Sequence, residues 1–122
     1  MAVKLEMFNQ ERDGISYAAG TRIFSEGDPP DAMYIVIEGN VEITMRGRHL
    51  ETLGPGEPFG EMALIEKIPR VAAATARTNV RLVKIEEKRF LFMVQQTPHF
   101  ALQIMKVMSD RLRRMDAKTL PA

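Results

Sequence analysis

Between residues 15 and 86, short runs of β-branched, aromatic and aliphatic residues alternate with Gly, Pro, Asn and Asp, and this rhythm constrains the fold more than any other feature of the chain. The runs are too short for helices. Arriving every ~8–12 residues with turn chemistry between them, they specify an antiparallel sandwich or barrel. The pattern places strands at residues 15–17, 21–24, 33–38, 41–46, 49–53, 72–76 and 80–86. Glu38-Gly39-Asn40 and Arg46-Gly47-Arg48 read as tight hairpins, because Gly and Asn tolerate the positive φ that such turns demand.

Both ends of the chain carry a different period. Val3, Leu5, Met7 and Phe8 among charged residues read as a short N-terminal helix over residues 1–12, lying on the domain and ended by Asp13-Gly14. Residues 87–95 read as a short helix with Phe90, Leu91 and Val94 on one side. Thr97-Pro98 reads as the N-cap and first position of a longer helix, since Pro is favoured where no N–H is needed. Along that helix Ala101, Met105, Met108, Leu112 and Met115 make a heptad row, and Phe100, Ile104 and Val107 make a second apolar row. One row on the domain and one against a second copy is one reading; a plain amphipathic helix on its own domain is the other.

With 122 residues the chain is expected to form one domain, the strands over about 15–86 and the C-terminal helices over about 87–116. It has no cysteine, which excludes disulfides, thiolate catalysis and zinc–thiolate sites. His49 and His99 are the only histidines and fall in different kinds of segment, so a multi-histidine metal centre is not expected, nor a catalytic group. A net charge of +1 makes no electrostatic case for nucleic acid or a membrane surface. Arg111, Arg113, Arg114 and Lys118 are read as complementing the dipole at the end of the last helix. No apolar run is long enough to span a bilayer, and no signal-peptide pattern opens the chain, so the cytoplasm is the expected location.

One stretch carries chemistry. In residues 58–72, PFGEMALIEKIPRVA, Gly60 lets a ligand approach the backbone, and the residues after it make about one helical turn. Arg70 offers a planar fork of donors suited to phosphate. Glu61 would repel a phosphate unless it accepts protons from hydroxyls of the same ligand, so the two residues together point to a sugar phosphate. An ordinary surface ion pair between them is the competing reading.

Phe59-Gly60-Glu61-Met62-Ala63-Leu64 followed by Pro69-Arg70-Val71-Ala72 resembles the phosphate-binding cassette of the cyclic nucleotide-binding domain family. Gly20, Ile23-Phe24, Gly27-Asp28, Asp31, Met33-Tyr34-Ile35-Val36, Gly39 and Val41 resemble its β-roll signature, in the family order, and are read as folding residues. The resemblance covers about residues 20–90. It implies a mainly β fold with flanking helices, an antiparallel, jelly-roll-like β-roll. It also implies a ligand site at Phe59, Gly60, Glu61, Met62, Ala63, Arg70, Val71 and Ala72. In the family the cassette Arg binds the cyclic phosphate, the cassette Glu binds the ribose 2'-hydroxyl, and the last helix caps the base and often mediates dimerisation. A Thr after the cassette Arg goes with cyclic GMP there; Val71 stands at that place, so cyclic AMP is expected ahead of cyclic GMP. The implied function is that of a regulatory module, not an enzyme, that binds a cyclic purine nucleotide, uses no further cofactor, and forms a homodimer through its last helix. The alternative is a β-roll interaction or dimerisation module that no longer binds nucleotide.

Overall fold

The computed structural model describes residues 14–119, with side chains described to residue 114; the expected N-terminal helix lies outside these residues, as does the Met115 side chain. Among the described residues eight strands form two antiparallel sheets: β1 (Ile15–Tyr17), β2 (Arg22–Phe24), β3 (Ala32–Glu38), β4 (Val41–Met45), β5 (Arg48–Leu53), β6 (Pro58–Phe59), β7 (Ala73–Ala76) and β8 (Val80–Glu86). One sheet has the order β1-β8-β3-β6 and the other β2-β7-β4-β5. The helices are α1 (Met62–Ile65), α2 (Glu87–Gln96) and α3 (His99–Thr119). The seven strands expected from the sequence are present within a residue or so of their expected ends, and Arg46-Gly47 joins the paired β4 and β5 as expected. The hairpin expected at Glu38-Gly39-Asn40 is instead a corner: Gly39 takes its positive φ there, but β3 and β4 pass into different sheets and do not pair, because each finds its partners elsewhere, β3 in β8 and β6, β4 in β5 and β7. The two-residue β6, pairing Tyr34 with Phe59 and Ile35 with Pro58, is additional. None of the described helices is long and apolar enough to cross a membrane.

The residues of β3 explain why the roll needs the helices. Side chains alternate across a strand, so Tyr34 and Val36 enter the interior between the sheets, with Phe24, Val41, Leu53, Phe59, Ala74, Ala76, Val80 and Leu82. Met33, Ile35 and Ile37 leave by the opposite face and join Val83, Ile85, Phe100 and Ile104 in a second core. A strand buried on both faces reads as a continuous apolar run, and Ala32-Met33-Tyr34-Ile35-Val36-Ile37 is one. Phe100 and Ile104 are buried to 0% and 2% exposure, and each such side chain stabilises the docked helix by about 1.5–3 kcal/mol.

This docking divides the heptad row expected on α3. Ala101 and Met108 are half-buried, Met108 against the domain's own second core, while Met105 and Leu112 face outward. The row therefore does not form one continuous outward seam. Rotation of the helix onto Phe100, Ile104 and Val107 turns Leu102 outward instead, beside Met105 and Leu112.

Candidate functional site

Arg70 and Glu61 are the two charged residues buried among the described residues, at 7% and 2% exposure. They do not pair with each other. The Arg70 guanidinium lies against the Phe24 ring, 4.0 Å from its centroid. Its Nη1 donates to the carbonyl of Gly60 at 3.0 Å; its Nη2 donates to the Ala32 carbonyl and to Asp31 Oδ1, the latter at 3.2 Å. The Arg70 backbone is braced as well: its N–H donates to the Asp28 carbonyl, and its carbonyl accepts from Gly27. Asp28 shapes that loop by accepting from the Ser25 N–H at 2.8 Å. Arg70 Nε, also buried, finds no hydrogen-bond partner among the described residues.

Gly60 is required here for two reasons. Its φ is +76°, and a Cβ added to it would come within 2.8 Å of Arg70 Nη1. The chain then turns directly into α1, a single turn capped at Glu61 without a side-chain hydrogen bond. A helix this short contributes little dipole, so the positive charge of the cradle comes from Arg70.

Glu61 points to the other side of the cradle. Its Oε1 accepts from Arg111 Nη1 of α3, and Arg111 Nη2 donates to the Pro58 carbonyl. Its Oε2 is buried and has no partner among the described residues. Arg111 and Arg114 also approach Glu51 of β5, with Arg111 Nε 3.2 Å from Oε2 and Arg114 Nη2 3.4 Å from Oε1. These positions correct the sequence reading of Arg111 and Arg114 as dipole complements. The signal was in their register: Phe100, Ile104, Val107, Arg111 and Arg114 recur at four- and three-residue steps, so the two arginines extend the line of the buried row, Arg111 half-buried and Arg114 exposed.

The remaining cassette residues take different places. Phe59 stacks on Tyr34 inside the roll, ring centroids 5.3 Å apart, so its side chain belongs to the core and its backbone to the cradle. Ala63 is buried, Ala72 half-buried, and Met62 and Val71 exposed. Phe24 and Asp31, assigned on sequence to folding, stand in contact with Arg70, and Lys84 joins Asp31 at 3.3 Å. No group of three His, Asp or Glu residues that could hold a metal ion occurs among the described residues.

The family model for the cyclic nucleotide-binding domain matches residues 15–97, a span that holds both halves of the cassette and the roll around it. The chain belongs to this family. A CRP-like cAMP-activated global transcriptional regulator of Mycobacterium tuberculosis is 34% identical over 105 residues, covering 82% of this chain and 47% of the relative. The catabolite activator protein of Thermus thermophilus superposes with a TM-score of 0.79 at 33% identity, over 87% of this chain and 52% of that one. The EAL enzyme Bd1971, solved in a cAMP-bound form, matches with a TM-score of 0.64 at 34% identity over 88% of this chain and 30% of its own; a cGMP-bound form of the same enzyme also matches. This cyclic nucleotide-binding domain spans about half the length of the curated regulators it matches.

Proposed function

We propose that this domain binds a cyclic purine nucleotide, cyclic AMP ahead of cyclic GMP, as a sensor that passes the signal through α2 and α3. The observation that carries the reading is the separate burial of Arg70 and Glu61 on either side of Gly60. An exposed ion pair would be bland; two buried charges that do not pair with each other are costly, and such charges concentrate at functional sites. Arg70 is held by two carbonyls and one carboxylate with its Nε unpartnered, and supplies the cation for a cyclic phosphate. Glu61 has one oxygen on Arg111 and the other unpartnered, an acceptor suited to a ribose hydroxyl. A roll kept only as a scaffold has no use for this pair. Val71 offers no polar side-chain atom to reward guanine, which favours cyclic AMP.

Because Arg111 joins α3 to the ribose acceptor, nucleotide binding and helix position are coupled. The ligand favours the arrangement in which cassette and helix meet it together, and the shift is limited by its difference in affinity for the two arrangements. A homodimer through the outward Leu102, Met105 and Leu112 is part of the proposal, as their exposure near 60% leaves an apolar stripe along α3. Calorimetric titration with cyclic AMP and cyclic GMP tests the function directly. Arg70→Leu should abolish detectable binding, through loss of a charge-assisted contact and an unpaired phosphate. A parent that binds neither nucleotide, or a variant that binds as tightly as the parent, refutes the reading.

A further inference from the structure

Most of α3 is held on the roll by apolar burial, but the apolar contacts of the described residues stop at Val107 and Met108. The next positions in that row are Arg111, half-buried, and Arg114, exposed, so the contacts beyond the apolar row are made by charge. Two carboxylates receive them. Glu61 belongs to the nucleotide cassette; Glu51 belongs to β5, the edge strand of the other sheet.

The strand register shows how Glu51 comes to face the helix. β5 pairs Thr44 with His49 but Ile43 with Glu51, so Leu50 is the extra residue of a bulge. A bulge reverses the facing of the residues beyond it. His49 accordingly lies outward on Glu42, at 2.9 Å, while Glu51 shares the inward side with Ile43 and meets α3. Regular alternation from His49 would have sent the Glu51 carboxylate into solvent.

We propose that Glu51 is a positioning residue: it keeps the end of α3 docked in the absence of nucleotide and holds Arg111 aimed at Glu61, so that it sets how much helix movement remains for the ligand to drive. Its two oxygens lie at ion-pair distance from two arginines about one turn apart, with no hydrogen bond to Oε1 or from Arg111 Nε among the described residues, and neither oxygen belongs to the cassette. Without Glu51, among the described residues, Arg114 loses its carboxylate partner and Arg111 keeps Glu61 and the Pro58 carbonyl. The helix end would then depend on the same carboxylate that the ribose needs. The effect on affinity rests on the nucleotide-binding reading above; the effect on the ligand-free helix does not.

The experiment is hydrogen exchange on the full chain, read by peptide with and without cyclic AMP, together with calorimetric titration, for the parent, Glu51→Gln and Arg114→Gln. In ligand-free Glu51→Gln, exchange over residues 107–114 should rise several-fold, while β3, β7 and β8 exchange as in the parent. Saturating nucleotide should restore protection, so the ligand-induced change grows. Affinity should weaken by about 3- to 10-fold, the factor by which the docked population falls. Arg114→Gln should show the same changes at smaller amplitude. Unchanged ligand-free exchange over 107–114 overturns the proposal, as does a rise spread equally over the β-roll. Tighter nucleotide binding by Glu51→Gln also overturns it, since that is what removal of a mere repelling charge would give. If the parent binds no nucleotide, the functional reading fails, and the ligand-free exchange still decides the role of Glu51.

Discussion

Gly60→Ala probes how closely backbone and guanidinium are fitted. Two costs add. At φ +76° an L side chain pays for the left-handed region, about 1–2 kcal/mol. The new Cβ would also stand 2.8 Å from Arg70 Nη1, though at ordinary contact distance from Phe24 and the Ala32 carbonyl. The guanidinium must therefore shift, and it is pinned by Ala32, Asp31 and the Phe24 ring. The bond from Nη1 to the Gly60 carbonyl is the one lost, a charge-assisted bond of about 1.5–3 kcal/mol. The sum is about 2.5–5 kcal/mol, which lowers the melting temperature of a domain this size by ~10–25 °C. Gly20 is the control. Its φ is +88° but a Cβ there meets nothing within 4 Å, so Gly20→Ala carries the backbone cost alone. Scanning calorimetry on both variants, with cyclic AMP titrations, separates strain from contact. Equal melting temperatures for the two variants, with parental nucleotide affinity in Gly60→Ala, would refute the argument that Gly60 is kept for Arg70.

Glu61→Gln should weaken cyclic AMP binding by about 1–2 kcal/mol, the difference between a charged and a neutral acceptor, and a 2'-deoxy ligand should lose little more on that variant; a full additional loss would place the hydroxyl elsewhere. Met105→Glu with Leu112→Glu puts like charges on the outward stripe of α3 while sparing Met108, which serves the domain's own core, so sedimentation should show monomers with cyclic AMP binding intact; an unchanged dimer puts the interface elsewhere. Burial, then the neighbouring Tyr17 and Asp31, push the Tyr34 phenol up to about 12 from 10.0. The folded state therefore holds that proton more tightly, and the associated stability, up to about 2–3 kcal/mol, is present below pH 10 and lost as pH rises toward 12. Tyr34→Phe should flatten that part of the stability profile in denaturant titrations, and an unaltered slope would reject the assignment.

Local chemistry in the sequence was enough for the strands, the β4–β5 hairpin and the cassette motif, but not for the turn at Glu38-Gly39-Asn40, whose flanking strands go to different sheets. Side-chain alternation and turn residues act over a few positions, and the motif at residues 59–72 is nearly contiguous. The two-residue β6 was not legible, since Pro58-Phe59 has no pattern of its own and becomes a strand only by pairing with β3. The partners of the site were decided by tertiary structure alone. Nothing near Arg70 in sequence announces Asp31, the Ala32 carbonyl or the Phe24 ring, which the two sheets bring to it from 38 to 46 positions away. Glu61 and Arg111 lie 50 positions apart, and Glu51 reaches the helix only because a bulge reverses its side of the strand. Whether Arg70 and Glu61 form a surface ion pair or stand apart as two buried charges is a question of distance and solvent exclusion. Those quantities exist only once sheets and helix have packed, which is why residue types and spacing left both readings open and the folded chain left one.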